Sequence, residues 1–90
     1  MNREFEELCE RVNRNLIAFL GTELNLGFTF ARTAEIAADV ENREDFELAR
    51  KNAYRALNTV HQFQARIFDS VIGVRIQARA ADLGRLISTL

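Results

Sequence analysis

Proline is missing from this 90-residue chain, and glycine occurs only four times. Proline inside a helix removes a backbone hydrogen bond and clashes with the preceding turn, so its absence favours long, uninterrupted helices. The lone cysteine, Cys9, has no partner for an intrachain disulfide, which excludes a disulfide-stapled scaffold. The lone histidine, His61, leaves the Glu-x-x-His and His-x-x-x-His spacings of bundle-type metal sites unfilled. No Gly-rich phosphate loop, Ser/His/Asp set or dinucleotide fingerprint is present. The opening residues, Met1 to Glu7, are acidic and carry no apolar segment of the secretory type. The apolar run Leu16 to Leu20 is far short of the ~20 residues that a membrane span needs. The expectations are therefore no cofactor, no metal and no membrane, with the cytoplasm as the default address.

What is present points to one small helical domain over residues 1–90. A chain of this size buries only about 60–65% of its unfolded surface, so its stability margin is thin. The apolar share, 48%, suffices for a core and is too high for disorder. A net charge of −1 conceals an asymmetry: residues 1–45 sum to −5 and residues 46–90 to +4. Acidic and basic helices facing each other account for this, within one chain or between two. A basic surface for nucleic acid is the sharper alternative, but +4 over that length is ordinary for a solvated surface.

The strongest stretch runs from Asn42 to Phe68. Asn42-Arg43-Glu44-Asp45 is a helix-start signal, with Asn42 able to accept from the amide near Asp45 and acidic residues at the positive end of the dipole. Phe46, Ala49, Ala53, Ala56, Leu57, Val60, Phe63 and Ile67 then recur at helical spacing. A helix from Arg43 to Phe68 would be roughly 39 Å long and would be the spine, helix 3 in chain order. Before it, helix 1 starts at an Asn2 cap and runs to Leu20, with Phe5, Leu8, Cys9, Val12, Leu16, Phe19 and Leu20 on one stripe. Gly21 can end it, and Thr22 can cap a helix 2 running from about Glu23 to Val40. A competing parse continues helix 1 past Gly21, breaks at Gly27 and caps with Thr29. The short Glu41–Glu44 connection makes helices 2 and 3 antiparallel neighbours. Asp69-Ser70 can cap a new helix, or helix 3 can run on to Gly73; helix 4 follows from about Val74. The fold class is all-α: a small antiparallel helical bundle of three to four helices with a long central helix 3.

Ala34, Ala37 and Ala38 can face Ala49, Ala53 and Ala56, letting two helix axes approach closely. The stretch Thr33–Leu57 resembles the helix-turn-helix unit of tetratricopeptide repeats. Ile36 and Ala37 stand at its large–small pair, Val40 at its later apolar position, and Ala49 and Ala56 at its two small positions. Ala53 stands where the family places a large aromatic, Glu44 replaces the turn glycine, and His61 falls at the closing proline. A lone unit would not carry the family's peptide groove, which needs about three stacked repeats. Separately, Arg55 and His61 are similar to the Arg-x5-His pattern of HEPN nuclease families. That likeness implies an RNA-cutting site at a dimer interface, with His61 as acid/base and Arg55 on the phosphate. Six residues apart, the two lie about 240° around one helix, so a partner would have to complete the site.

The other chemistry-bearing residues have plainer readings. Cys9, on the apolar stripe of helix 1, is expected to be a buried structural thiol. Tyr54 is expected at the core edge with its hydroxyl in water. Arg75, Arg79 and Arg85 could touch phosphate, yet Asp82 interrupts them and no aromatics interleave. The surplus of apolar helix remains. Helix 2 is apolar around much of its girth, and Ile67 to Ile76 form a dense cluster. The expected role is non-enzymatic protein–protein association, as a homo-oligomer or with a helical partner. The expected interface is Phe28, Phe30, Ile67, Phe68, Val71, Ile72 and Ile76.

Overall fold

The computed structural model describes residues 2–67 and 69–90. Among them the chain is all-α, with three α-helices and no strand: α1 (Arg3–Asp39), α2 (Arg43–Phe63) and α3 (Ser70–Ser88). A single 3-10 turn, Gln64–Arg66, follows α2. Local chemistry sets the starts of all three helices. Asn2 Oδ1 accepts from the Glu4 amide at 2.9 Å. Asn42 Oδ1 accepts from the Asp45 amide at 3.1 Å. Asp69 Oδ1 accepts from the Val71 and Ile72 amides at 2.9 and 3.2 Å. Each side chain satisfies amides that the first helical turn leaves without partners.

The expected break between helices 1 and 2 is absent. Residues 3–39 form one helix of 37 residues. Gly21 does not adopt a left-handed conformation, and neither does Gly27. Thr22 and Thr29, read as caps, instead lie within the helix. Their hydroxyls donate to the Ala18 and Asn25 carbonyls one turn back, at 3.1 and 2.9 Å. The longest helix, and the spine of the fold, is therefore α1 and not the helix opening at Arg43. That helix stops at Phe63, five residues short of the expected end, while Phe68 itself lies outside the described residues. The last helix starts at Ser70 and passes through Gly73, so Asp69 is the cap and Val74 is not the beginning.

The α1–α2 turn is built on Glu41, the one non-glycine residue among those described with positive φ, 58°. The Asn42 amide donates to the Ala37 carbonyl at 2.8 Å and the Glu41 amide to that of Ala38 at 3.1 Å. These two bonds close the helix as a Schellman motif does, with Glu41 where glycine is usual. The chain reverses at once. Ala37 comes beside Phe46, Phe30 beside Ala49, Gly27 beside Ala56 and Phe19 beside Phe63, so α2 runs antiparallel to α1. α3 returns parallel to α1, with Arg79 reaching Asn25 and Leu83 against Gly27.

The α1–α2 seam is made of small residues. Gly27, Ala31, Ala34 and Ala37 on α1 are buried, as are Ala49, Ala53 and Ala56 on α2. Ala38, expected in the seam, is exposed at its edge, beside Phe46 and Glu47. Leu20, Leu24, Leu57, Val60, Ile76, Ala80, Leu83 and Ile87 complete the core, and no polar or charged residue among those described is buried. A Cβ on Gly27 would lie 2.5 Å from Leu83 Cδ2 and 3.3 Å from Ala56 Cβ. Glycine there is a packing requirement of the three-helix contact, not a break signal.

α2 ends level with Phe19, so the first dozen or so residues of α1 project past both other helices. The molecule measures 59 × 18 × 15 Å with a radius of gyration of 16.0 Å. A compact chain of this length would have a radius of roughly 12 Å.

Candidate functional site

The projecting arm carries an apolar stripe that, among the described residues, is largely uncovered. Phe5 is 59% exposed, Leu8 50%, Val12 58% and Phe19 44%. Their spacing of three, four and seven keeps them on one face. That face is turned about 90° from the buried stripe of Leu20, Leu24, Gly27, Ala31 and Ala34, toward the side where α2 packs lower down. Cys9, expected to be buried on this stripe, is exposed because neither α2 nor α3 extends that far.

Charge is ordered along the arm. Glu4, Glu6, Glu7 and Glu10 occupy the tip, and Arg11 and Arg14 follow. Arg3 pairs with Glu7 at 3.3 Å. Both side chains are mostly in solvent, so the pair contributes little.

At the arm's base, where α2 turns toward α3, lies an open groove of about 500 Å³ lined by Val12, Asn13, Leu16, Phe63 and Arg66. Phe63 meets Phe19 edge-to-face, with ring centroids 6.3 Å apart. The Arg66 guanidinium lies 4.9 Å above the Phe63 ring. The groove thus has an aromatic floor and a cationic rim.

The residues expected at an interface are dispersed by the fold. Phe28, Phe30, Ile67 and Ile72 are partly buried against the core. Ile76 is 6% exposed and belongs to the core itself, which removes it from any surface offered to a partner. Its position on α3 faces the α1–α2 seam. Val71 is exposed, as is Val74, which was not among the expected contacts. Ile67, Val71 and Ile72 sit at the end of the bundle from which the arm projects, and Phe68 lies outside the described residues. The arm stripe was visible in the sequence as periodicity, but periodicity does not say which part of a stripe finds cover.

Arg55 and His61 are both exposed on α2, and neither lines the groove at the arm's base. Arg79 donates to Asn25 Oδ1 at 2.8 Å and lies 5.9 Å over the Phe28 ring. Arg85 pairs with Asp82. Two of the three arginines proposed to touch phosphate are therefore engaged within the chain. The Arg50 guanidinium covers Tyr54 at 5.1 Å. Among the described residues, no group of three or more His, Cys, Asp or Glu side chains is placed to hold a metal, and no helix is long and apolar enough to cross a membrane. Comparison with protein-family models, curated proteins and solved structures returned no match to this chain.

Proposed function

We propose that this chain is a small cytoplasmic, non-enzymatic association domain that pairs with a second copy of itself, and that the α1 arm is the surface it offers. The observation that carries this reading is surplus surface. A compact monomer of 10.3 kDa exposes roughly 5,400 Å². This chain exposes 6485 Å². The excess, on the order of 1,000 Å², resembles what one partner contributes to a protein–protein interface of ordinary size. It coincides with an apolar stripe at the bundle end where the exposed Val71 also lies. The antiparallel bundle supplies the rigid base. On this reading the Thr33–Leu57 hairpin, which resembles one tetratricopeptide unit, is scaffold and not a peptide groove.

Light scattering coupled to gel filtration tests the proposal. The expected result is a mass near twice 10.3 kDa at tens of micromolar, reverting to monomer in Phe5→Ser with helix content unchanged. A monomer throughout that range removes the proposal.

A further inference from the structure

Resting on the self-association just proposed, we infer that two copies pair arm to arm in antiparallel sense, each tip seated in the groove at the base of the other. The arm's free face lies above the end of α2, and α2 runs antiparallel to α1. An antiparallel second arm therefore enters where α2 leaves off and continues the same packing direction along α1. With Phe5 of each copy level with Leu16 of the other, Phe5 reaches the groove of Val12, Leu16 and Phe63. Leu8 of each copy packs beside Val12 of the other, on either side of the two-fold axis. The contact is isologous and closes on itself, so it gives a dimer and not a filament.

Charge order selects the direction. The tip, residues 3–10, holds four Glu against the single Arg3, whereas Arg66 lines the groove. The antiparallel arrangement brings the acidic tip to the basic base twice over. The parallel arrangement sets one net-acidic tip beside the other and leaves both grooves empty. Opposite potentials favour the first, and like-charge juxtaposition disfavours the second. The stripe itself exposes roughly 400 Å² of apolar surface per copy, which places the contact among weaker, micromolar pairings.

Small-angle scattering with concentration-matched light scattering separates the outcomes. The antiparallel dimer overlaps only along the arms, so its greatest dimension is roughly 95 Å at 1.5 Å per helical residue, against 59 Å for one copy. A dimeric mass with that length supports the inference. A dimeric mass with a length close to that of one copy means parallel or side-by-side pairing; it overturns this inference and leaves self-association standing. A monomeric mass overturns both. Arg66→Glu, at an exposed position outside the core, is expected to weaken dimerisation severalfold and reduce its salt dependence, with unchanged helix content. Unaltered affinity in that variant counts against the seated tip.

Discussion

Replacing each of two glycines in α1 by alanine should move stability in opposite directions. Alanine is favoured over glycine inside a helix by about 1 kcal/mol. At Gly21 a new Cβ meets nothing within 4 Å, so that gain should appear almost whole. At Gly27 the Cβ would stand 2.5 Å from Leu83 Cδ2 and 3.3 Å from Ala56 Cβ. Leu83 is fully buried and has nowhere to swing. The Ala56 Cβ is fixed to the α2 backbone, so the helices themselves must shift. Overpacking of this kind costs about 1–3 kcal/mol, which exceeds the helix gain. Gly27→Ala should therefore lose about 1 kcal/mol net, and Gly21→Ala should gain about 1 kcal/mol. Helical circular dichroism during thermal unfolding reads this, at one protein concentration because association shifts the midpoint. Each kcal/mol corresponds to about 4–8 °C in a domain of this size. Equal stabilisation by both substitutions would refute the close three-helix contact. Destabilisation by Gly21→Ala would mean that Gly21 is left-handed and ends a helix, and α1 would not be continuous.

Three further outcomes follow from local geometry. Glu41 holds a left-handed conformation that costs a non-glycine residue about 1 kcal/mol, so Glu41→Gly should raise the thermal midpoint by several degrees; a lowered midpoint contradicts the turn. Asp69→Ala removes the acceptor for two α3 amides and should cost about 1 kcal/mol in urea unfolding; no loss would mean that α3 starts elsewhere. Arg55 and His61 are exposed and uncollected by any site, so Arg55→Ala and His61→Ala should leave dimer affinity and helix content unchanged, with no RNA cleavage by any of the three proteins; cleavage abolished by His61→Ala would restore the nuclease reading.

Helix class and the Asn2 and Asn42 caps were legible, and the Asp69 cap was one of two readings left open, because capping is decided by a few neighbouring residues. Asn2, Asn42 and Asp69 each act through an amide two or three positions on. The alanine seam was legible for the same reason, save Ala38, whose neighbour Ala37 takes the inward position. The continuity of α1 was not. Gly21-Thr22 reads as stop and start by local rules, yet packing of α2 along Leu20 to Ala37 rewards an unbroken helix more than a cap would. Gly27 misled similarly, since its role depends on Leu83, which lies 56 residues away in the chain. The candidate site was half visible. Phe5, Leu8 and Val12 follow the same pattern as Leu20, Leu24 and Ala31. Only the length of α2 against that of α1 distinguishes a covered stripe from an open one. Of the expected interface, Val71 is exposed, whereas Ile76 is taken by the core.

The most direct measurement is a distance between spin labels on Asn2→Cys in a Cys9→Ser background, at a concentration where the pair forms. Antiparallel arms place the two labels roughly 25–30 Å apart, from the helical rise over the overlap and the width of two packed helices. A separation of about 10 Å would show parallel arms, and the absence of any coupling would show that the uncovered stripe does not meet a second copy.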